Sequence, residues 1–463
     1  MQGKKGIVHL FGGSLFGKAV SFILNIFLSR CLGPLNLGIF GLILSTAQTF
    51  EILTRAGIDF GLQHELTKSE TKEEETFNQT VASALSTVDF LSICLGGVLL
   101  VWLLFDNFLA SKGASVDREL IIFCAVIICL SESLTSISWE AFLLSGKTKL
   151  YALRSAVYHP IKILFAVIAA SIGGLNMAVA GYTLIGALQA IIIRRYTNFL
   201  IHAKNTKAQI RTSKKLIKKG LPFFATNAIN SCVFLPLLAE VATSTGFKEV
   251  GFLRIGQFVV QLFTLLPGAV APVLFIKLRL TSSTDEQQKN LGLSLESIWC
   301  IGLITLALYL LVDKYAILLI FGQQYMPAMV FTRALVMAAI LESLCQILYS
   351  NVLAQNRMIF YSATQISSSI LAALLGMTLI PKIGAEGFIL AKIVHSSIPM
   401  AIYLYDAFSG LPKKKIVMSY VFCTILILPL CIAENIYTGY TYSILAMVFI
   451  FASRRAIMLR KAY

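Results

Sequence analysis

Long apolar runs recur along the whole chain. Each is continuous rather than alternating, and each is long enough to cross the ~30 Å hydrocarbon layer of a bilayer as a helix. The pattern predicts about 14 transmembrane helices. They lie near residues 9–30, 36–64, 79–104, 119–144, 150–172, 176–193, 220–243, 249–276, 291–312, 327–352, 359–381, 386–405, 416–433 and 437–453. The short alternating segments of a membrane β-barrel do not occur. The fold expected is therefore all-α and polytopic.

Polar positions inside these runs fall at helical spacing. In the first run Ser14, Lys18, Ser21, Asn25 and Ser29 are separated by 4, 3, 4 and 4 residues, which at about 100° per residue gathers them on one narrow face. Lys18 lies mid-span, where an ionisable group is costly unless it meets a partner or water. The stripe predicts a helix lining an aqueous path for a charged species. The basic, then apolar N-terminus is also signal-like. Lys18 interrupts the apolar stretch, however, and no small-residue cleavage site follows, so a retained first span is expected.

Composition agrees with a membrane protein: 57% of the 463 residues are hydrophobic and only 13% are charged, a balance no soluble globular chain of this length carries. The net charge of +16 would suit a nucleic-acid partner, but its distribution follows the positive-inside rule instead. With both termini cytoplasmic, 26 of the 39 Lys and Arg fall in cytoplasmic segments, and only Arg30, Lys112, Arg118, Lys248, Lys314 and Lys382 fall outside. The acidic stretch 65–78 reads as a solvated loop. The connection 194–219 carries nine Lys and Arg interleaved with Ile210, Leu216 and Ile217, which predicts a basic amphipathic segment on an anionic leaflet.

That connection divides the chain into similar halves. Leu37-Gly38-Ile39-Phe40 opens the second span and Val250-Gly251-Phe252-Leu253 the eighth; Ala180-Gly181-Tyr182-Thr183-Leu184 opens the sixth and Glu386-Gly387-Phe388-Ile389-Leu390 the twelfth. The separations, 213 and 206 residues, are nearly constant. The organisation expected is a lobe of spans 1–6 (residues 1–193), the basic linker (194–219), a lobe of spans 7–12 (220–410), and two additional helices with a basic tail (411–463).

Charged constellations cluster on two spans. Gln48, Glu51, Arg55 and Asp59 share one face of span 2, with Glu51–Arg55 and Arg55–Asp59 as oppositely charged i,i+4 pairs. Lys18 and Arg55 lie equally deep, each roughly 13 Å from its cytoplasmic end at 1.5 Å per residue. Two cations at one level suggest an anion site. The other reading is structural neutralisation, with Arg55 satisfied by Glu51 and Asp59 and Lys18 by a backbone carbonyl. On span 8 Arg254, Gln257 and Gln261 share a face, although Arg254 is near enough to the surface to snorkel. Asn227, Asn230 and Ser231 cluster on span 7, as ligand contacts or as glue between helices. Pro236, Pro267 and Pro272 predict kinks or breaks.

Further buried charges are Asp89, Glu132, Glu140, Lys162, Glu240, Glu296, Arg333, Glu342 and Lys392; Glu132, Ser136 and Glu140 share a face of span 4. Glu51, Asp59 and Glu132 are candidates to couple transport to H+ or Na+, with structural ion pairing as the competing reading. No metal or cofactor motif is present. The nine Cys form no CxxC, the five His no HExxH, and there is neither GxSxG nor a Walker lysine loop. No catalytic residue is proposed, and an enzyme is not expected.

Three stretches carry a resemblance: Gly13-Ser14-Leu15-Phe16-Gly17-Lys18, Leu28-Ser29-Arg30-Cys31-Leu32-Gly33-Pro34 and Leu37-Gly38-Ile39-Phe40-Gly41-Leu42. With Ala56-Gly57-Ile58-Asp59-Phe60-Gly61-Leu62, Leu266-Pro267, Phe321-Gly322-Gln323-Gln324-Tyr325-Met326-Pro327-Ala328 and Gly384-Ala385-Glu386-Gly387, the chain resembles bacterial Wzx-type oligosaccharide flippases of the multidrug/oligosaccharidyl-lipid/polysaccharide flippase superfamily. The resemblance implies two six-helix lobes around a central cavity with two C-terminal helices. It also implies an undecaprenyl-diphosphate-linked oligosaccharide moved from the cytoplasmic to the periplasmic leaflet of the bacterial inner membrane, driven by an ion gradient. O-antigen and lipopolysaccharide synthesis, antiport and a polysaccharide polymerase complex follow as expected associations. Lys18, Arg55 and Arg254 would face the diphosphate, and Asn25, Gln48, Asn227, Asn230, Gln257 and Gln261 the glycan. The alternatives are an organic-cation exporter of the same superfamily and a membrane-embedded glycan polymerase or transferase.

Overall fold

The computed structural model describes residues 2–68, 74–105, 117–200, 209–281, 283–355 and 357–408. Spans 13 and 14, the tail 411–463 and residues 201–208 of the basic linker lie outside the described residues. Nine helices among the described residues are long and apolar enough to cross a membrane. No strand occurs among them.

The first helix, α1, runs Gln2–Arg55. At 1.5 Å per residue that is roughly 80 Å, far more than one bilayer crossing. It contains two spans, divided where Gly33 leaves helical geometry (φ 70°, ψ 171°) just ahead of Pro34, a position open to glycine but strained for other residues. The second expected span, 36–64, is not continuous. It ends at Arg55, turns at Ala56 (φ 46°) and Gly57 (φ 73°), and restarts as α2, Ile58–Lys68. Then come α3 (Glu74–Phe105), α4 (Arg118–Leu144) and α5 (Thr148–Leu153). A π-helical turn, Arg154–Tyr158, links α5 to α6, His159–Leu200. The π turn has a covalent cause. Pro160 supplies no N–H, and His159 donates back to the Arg154 carbonyl, one residue wider than α geometry. Spans 5 and 6 meet inside α6 at Gly173 and Gly174 (φ 65°).

The second half follows with α7 (Ile210–Ser244), α8 (Phe247–Phe263), α9 (Leu265–Leu280), α10 (Thr284–Ile320), α11 (Ala328–Ala354), α12 (Met358–Ile383) and α13 (Ala385–Phe408). Of the expected proline breaks, one occurs. Span 8 is cut at Thr264, and Pro267 sits in the first turn of α9, where its missing N–H costs nothing. α7 stays one helix through Pro222 and Pro236.

The described residues form two compact units, one within residues 2–239 with 246–250 and the other within 240–245 with 251–408. In the first, α4 packs against α1, α3 and α6. Ile58, Leu62 and Leu66 of α2 close with Val81, Leu85, Val88, Ile137 and Leu216 into one apolar cluster. Leu216 belongs to the stretch expected to lie on a leaflet. It is fully buried at the start of α7, so one face of this helix packs on protein, while Ile210, Arg211, Lys214, Lys215 and Lys218 are exposed. In the second unit α11 is central, flanked by α9, α10, α12 and α13. Large apolar side chains point outward, among them Ile93, Ile172, Leu319 and Leu374. A soluble protein does not tolerate this pattern, and a bilayer favours it.

Candidate functional site

The densest charge in the first unit lies where α1, α2, α4 and α6 meet. α4 carries polar side chains at helical spacing; Ser138 Oγ is buried without a hydrogen-bond partner, and four others are paired. Glu132 is ion-paired with Lys162 of α6. Ser133 shares a hydrogen bond with Thr54 of α1 at 2.6 Å. Ser136 donates to its own helix at the Ser133 carbonyl, 2.7 Å away. Glu140 accepts from Gln63 Nε2 of α2 at 2.7 Å. Each of these four meets a charge or a hydrogen-bonding partner, as burial in hydrocarbon favours.

Arg55 sits at the α1–α2 turn, with Glu51 Oε1 3.5 Å away on one side and Asp59 Oδ2 3.3 Å away on the other. The sequence placed all three on one continuous helix; the break at Ala56–Gly57 moves Asp59 into α2, and the pairing survives the turn. Arg55 is thus neutralised by both carboxylates, while its Nε is buried without a hydrogen-bond partner. Lys162 is 5% exposed and lies over the Tyr182 ring at 5.3 Å. Sequence reading missed that pairing. Lys162 stands among the buried charges of the sequence, but periodicity assigns a face and not a partner thirty residues away.

The remaining sequence-derived residues are spread over both units. Of the polar stripe, Ser21, Asn25 and Ser29 are buried and Lys18 and Ser14 half-buried. Protein thus covers three of the five, and Lys18 and Ser14 keep part of their surface open. α1 approaches α5 closely there, since a side chain on Gly13 would meet Ala152 Cβ at 2.9 Å. Gln48 and Gln261 are exposed, and Asn227, Asn230 and Ser231 are half-buried on α7. Arg254 donates to Gln257 Oε1 at 2.6 Å, one turn along α8. Asp89 pairs with Arg194, and Asp313 with Arg333.

One acidic residue expected in a solvated loop has a structural partner. Glu65 lies on α2 and receives both Lys215 and Lys219 of α7. Partial burial works against its charged form, yet the two ammonium groups prevail and hold the carboxyl below the usual glutamate range.

A family model described as polysaccharide biosynthesis protein matches residues 4–272, which include the whole charged core just described. No curated protein sequence matches the chain. Among solved structures, the lipid II flippase MurJ in an inward closed conformation is 14% identical, with a TM-score of 0.68 over 98% of this chain and 99% of that one. An inward-facing multidrug resistance MATE family transporter of the MOP superfamily is 14% identical, with a TM-score of 0.64 over 90% and 98%. The eukaryotic MATE transporter AtDTX14 is 13% identical, with a TM-score of 0.58 over 91% and 98%. At such identities the likeness is one of fold.

Proposed function

This chain belongs to the polysaccharide biosynthesis protein family, and from that premise we propose that it is a Wzx-type flippase. Its substrate is an undecaprenyl-diphosphate-linked oligosaccharide, carried from the cytoplasmic to the periplasmic leaflet of the bacterial inner membrane. The observation that carries the reading is the family match over residues 4–272. The fold shared with a lipid II flippase supports it. Both termini are cytoplasmic in this reading, and residues 1–193 and 220–410 form the two lobes, joined by the basic stretch 194–219, with 411–463 beyond. Alternating access follows from rocking of the lobes.

A diphosphate crossing hydrocarbon needs compensating positive charge. Lys18, Arg55 and Arg254 supply it in this reading. For Arg55 the diphosphate would displace one carboxylate, a competition that lets substrate arrival release Glu51 or Asp59 to bind an ion. Asn25, Gln48, Asn227, Asn230, Gln257 and Gln261 offer hydrogen bonds to the glycan in this reading. The isoprenoid tail stays in lipid. Glu51, Asp59 and Glu132 couple the cycle to an ion gradient as an antiporter. A polysaccharide polymerase complex would take the delivered units into O-antigen or lipopolysaccharide.

The test is flipping by the full chain in proteoliposomes, read as protection of a fluorescent head group from an external quencher. Lys18→Ala and Arg55→Ala are expected to lose flipping while inserting normally; full activity in both defeats the assignment. A second reading, organic-cation export, is favoured by the likeness to multidrug transporters and by the carboxylates of the first unit. Uptake of a cationic dye by the same vesicles, with no lipid flipping, would establish it instead.

A further inference from the structure

The start of α7 faces two ways. With 35 residues, α7 is about 52 Å long at 1.5 Å per residue, more than the ~40–45 Å of a bilayer with its head groups. Its apolar span begins near residue 220, which puts 210–219 at head-group depth. One side of that stretch is fixed on protein. The Gln209 N–H donates to Ser83 Oγ of α3 at 2.9 Å, and the hydroxyls of Thr87 and Ser213 share a hydrogen bond at 2.8 Å. Leu216 is fully buried, and Gly220 sits against the Gly57 backbone. At about 100° per residue, Ser213, Leu216 and Gly220 occupy an arc of about 60°.

Five cations lie between residues 211 and 219, and Glu65 divides them. It engages Lys215 and Lys219. Among the described residues, no carboxylate makes an ion pair with Arg211, Lys214 or Lys218. These three are exposed, and they share an arc of about 60° on the side opposite the buried one. Along their flank runs an apolar row: Ile210, 77% exposed, half-buried Ile217, and Leu221, 51% exposed. Cations beside outward apolar side chains, at the depth where phosphates lie, match the chemistry of a charged lipid. We propose that Arg211, Lys214 and Lys218 bind the phosphate of an anionic phospholipid whose acyl chains lie along Ile210, Ile217 and Leu221. Glu65 limits the site to three cations by holding the other two. The inference stands on the membrane-spanning fold and is independent of what the chain transports.

The test is native mass spectrometry of the purified full chain in detergent, titrated with phosphatidylglycerol or with phosphatidylcholine of the same acyl chains. Wild type is expected to retain phosphatidylglycerol in preference, and the preference is expected to fall as salt rises. Arg211→Gln/Lys214→Gln/Lys218→Gln should weaken phosphatidylglycerol binding roughly tenfold or more and leave phosphatidylcholine unchanged. Lys147→Gln/Lys149→Gln, which removes exposed cations of the α4–α5 connection and of α5, should keep the preference. Glu65→Gln releases Lys215 and Lys219 and is expected to bind phosphatidylglycerol more tightly than wild type. Loss in one variant and gain in the other cannot both come from a damaged fold. A triple variant that keeps the full preference, or a Glu65→Gln protein that gains nothing, overturns the proposal. So does farnesyl diphosphate displacing phosphatidylglycerol from wild type at equal concentration, since the three cations would then serve a prenyl diphosphate and not a phospholipid.

Discussion

Gln63 donates its amide N–H to Glu140 Oε2 at 2.7 Å across 77 residues of sequence, tying α2 to α4. Glu140 is buried, and removing its donor strands a carboxylate. The cost expected for Gln63→Leu is about 1–3 kcal/mol, seen as a lower unfolding temperature in detergent. Replacing both residues with leucine removes the polar group together with its partner. Gln63→Leu/Glu140→Leu is therefore expected to be less damaging than the sum of the single changes. A double-mutant cycle checks this, and additive singles would show that the bond contributes nothing.

The α1–α2 turn answers to backbone geometry. Gly57 has φ 73°, and a side chain there would meet the Gly220 carbonyl oxygen at 2.6 Å. Gly57→Ala therefore combines a left-handed penalty of about 1–2 kcal/mol with a clash against backbone that cannot yield. Ala56 holds φ 46° with a Cβ already present, so Ala56→Gly relieves strain and is expected to leave stability unchanged or raise it by up to about 1 kcal/mol. Thermal unfolding of the two single variants decides it. Equal losses in both would mean that the turn is not strained as its dihedrals imply.

Much of the fold is legible in the sequence because lipid reverses the usual ambiguity: an outward apolar face and an inward one both demand hydrophobic residues, so spans read as unbroken runs. Each of the first twelve expected spans has a helical counterpart. Two of the matched glycines share a local setting. Gly181 and Gly387, matched by their motifs, both lie where a returning helix crosses the one before it. A side chain on Gly181 would meet Ala169 Cβ at 2.8 Å, and one on Gly387 the Ile380 nitrogen at 2.7 Å. The break at Ala56–Gly57 was hidden, since a lone glycine inside a helical pattern does not announce a turn. The core was legible only in part. Spacing put Glu132 and Glu140 on one face of α4, but nothing local to either says that one meets Lys162 and the other Gln63. The polar stripe is ambiguous for the same reason, because buried protein and open water satisfy Ser21, Asn25 and Ser29 equally well.

Glu65 makes the α2–α7 contact sensitive to acid. Lys215 and Lys219 lower its proton affinity in the folded state, while in the unfolded chain it titrates near the ordinary value of about 4.3. A carboxyl depressed by folding binds fewer protons when native than when unfolded. Its contribution is therefore fully present above the unfolded value and is lost as pH falls through the folded one. Glu65→Gln should unfold at a lower temperature than wild type at pH 7, and the two should converge as pH drops below about 4. Lys215 is 57% exposed at its side chain, so the neutral-pH difference should also shrink in high salt. A gap between the two proteins that persists unchanged into acid would mean that Glu65 acts through packing against α7 and not through its charge.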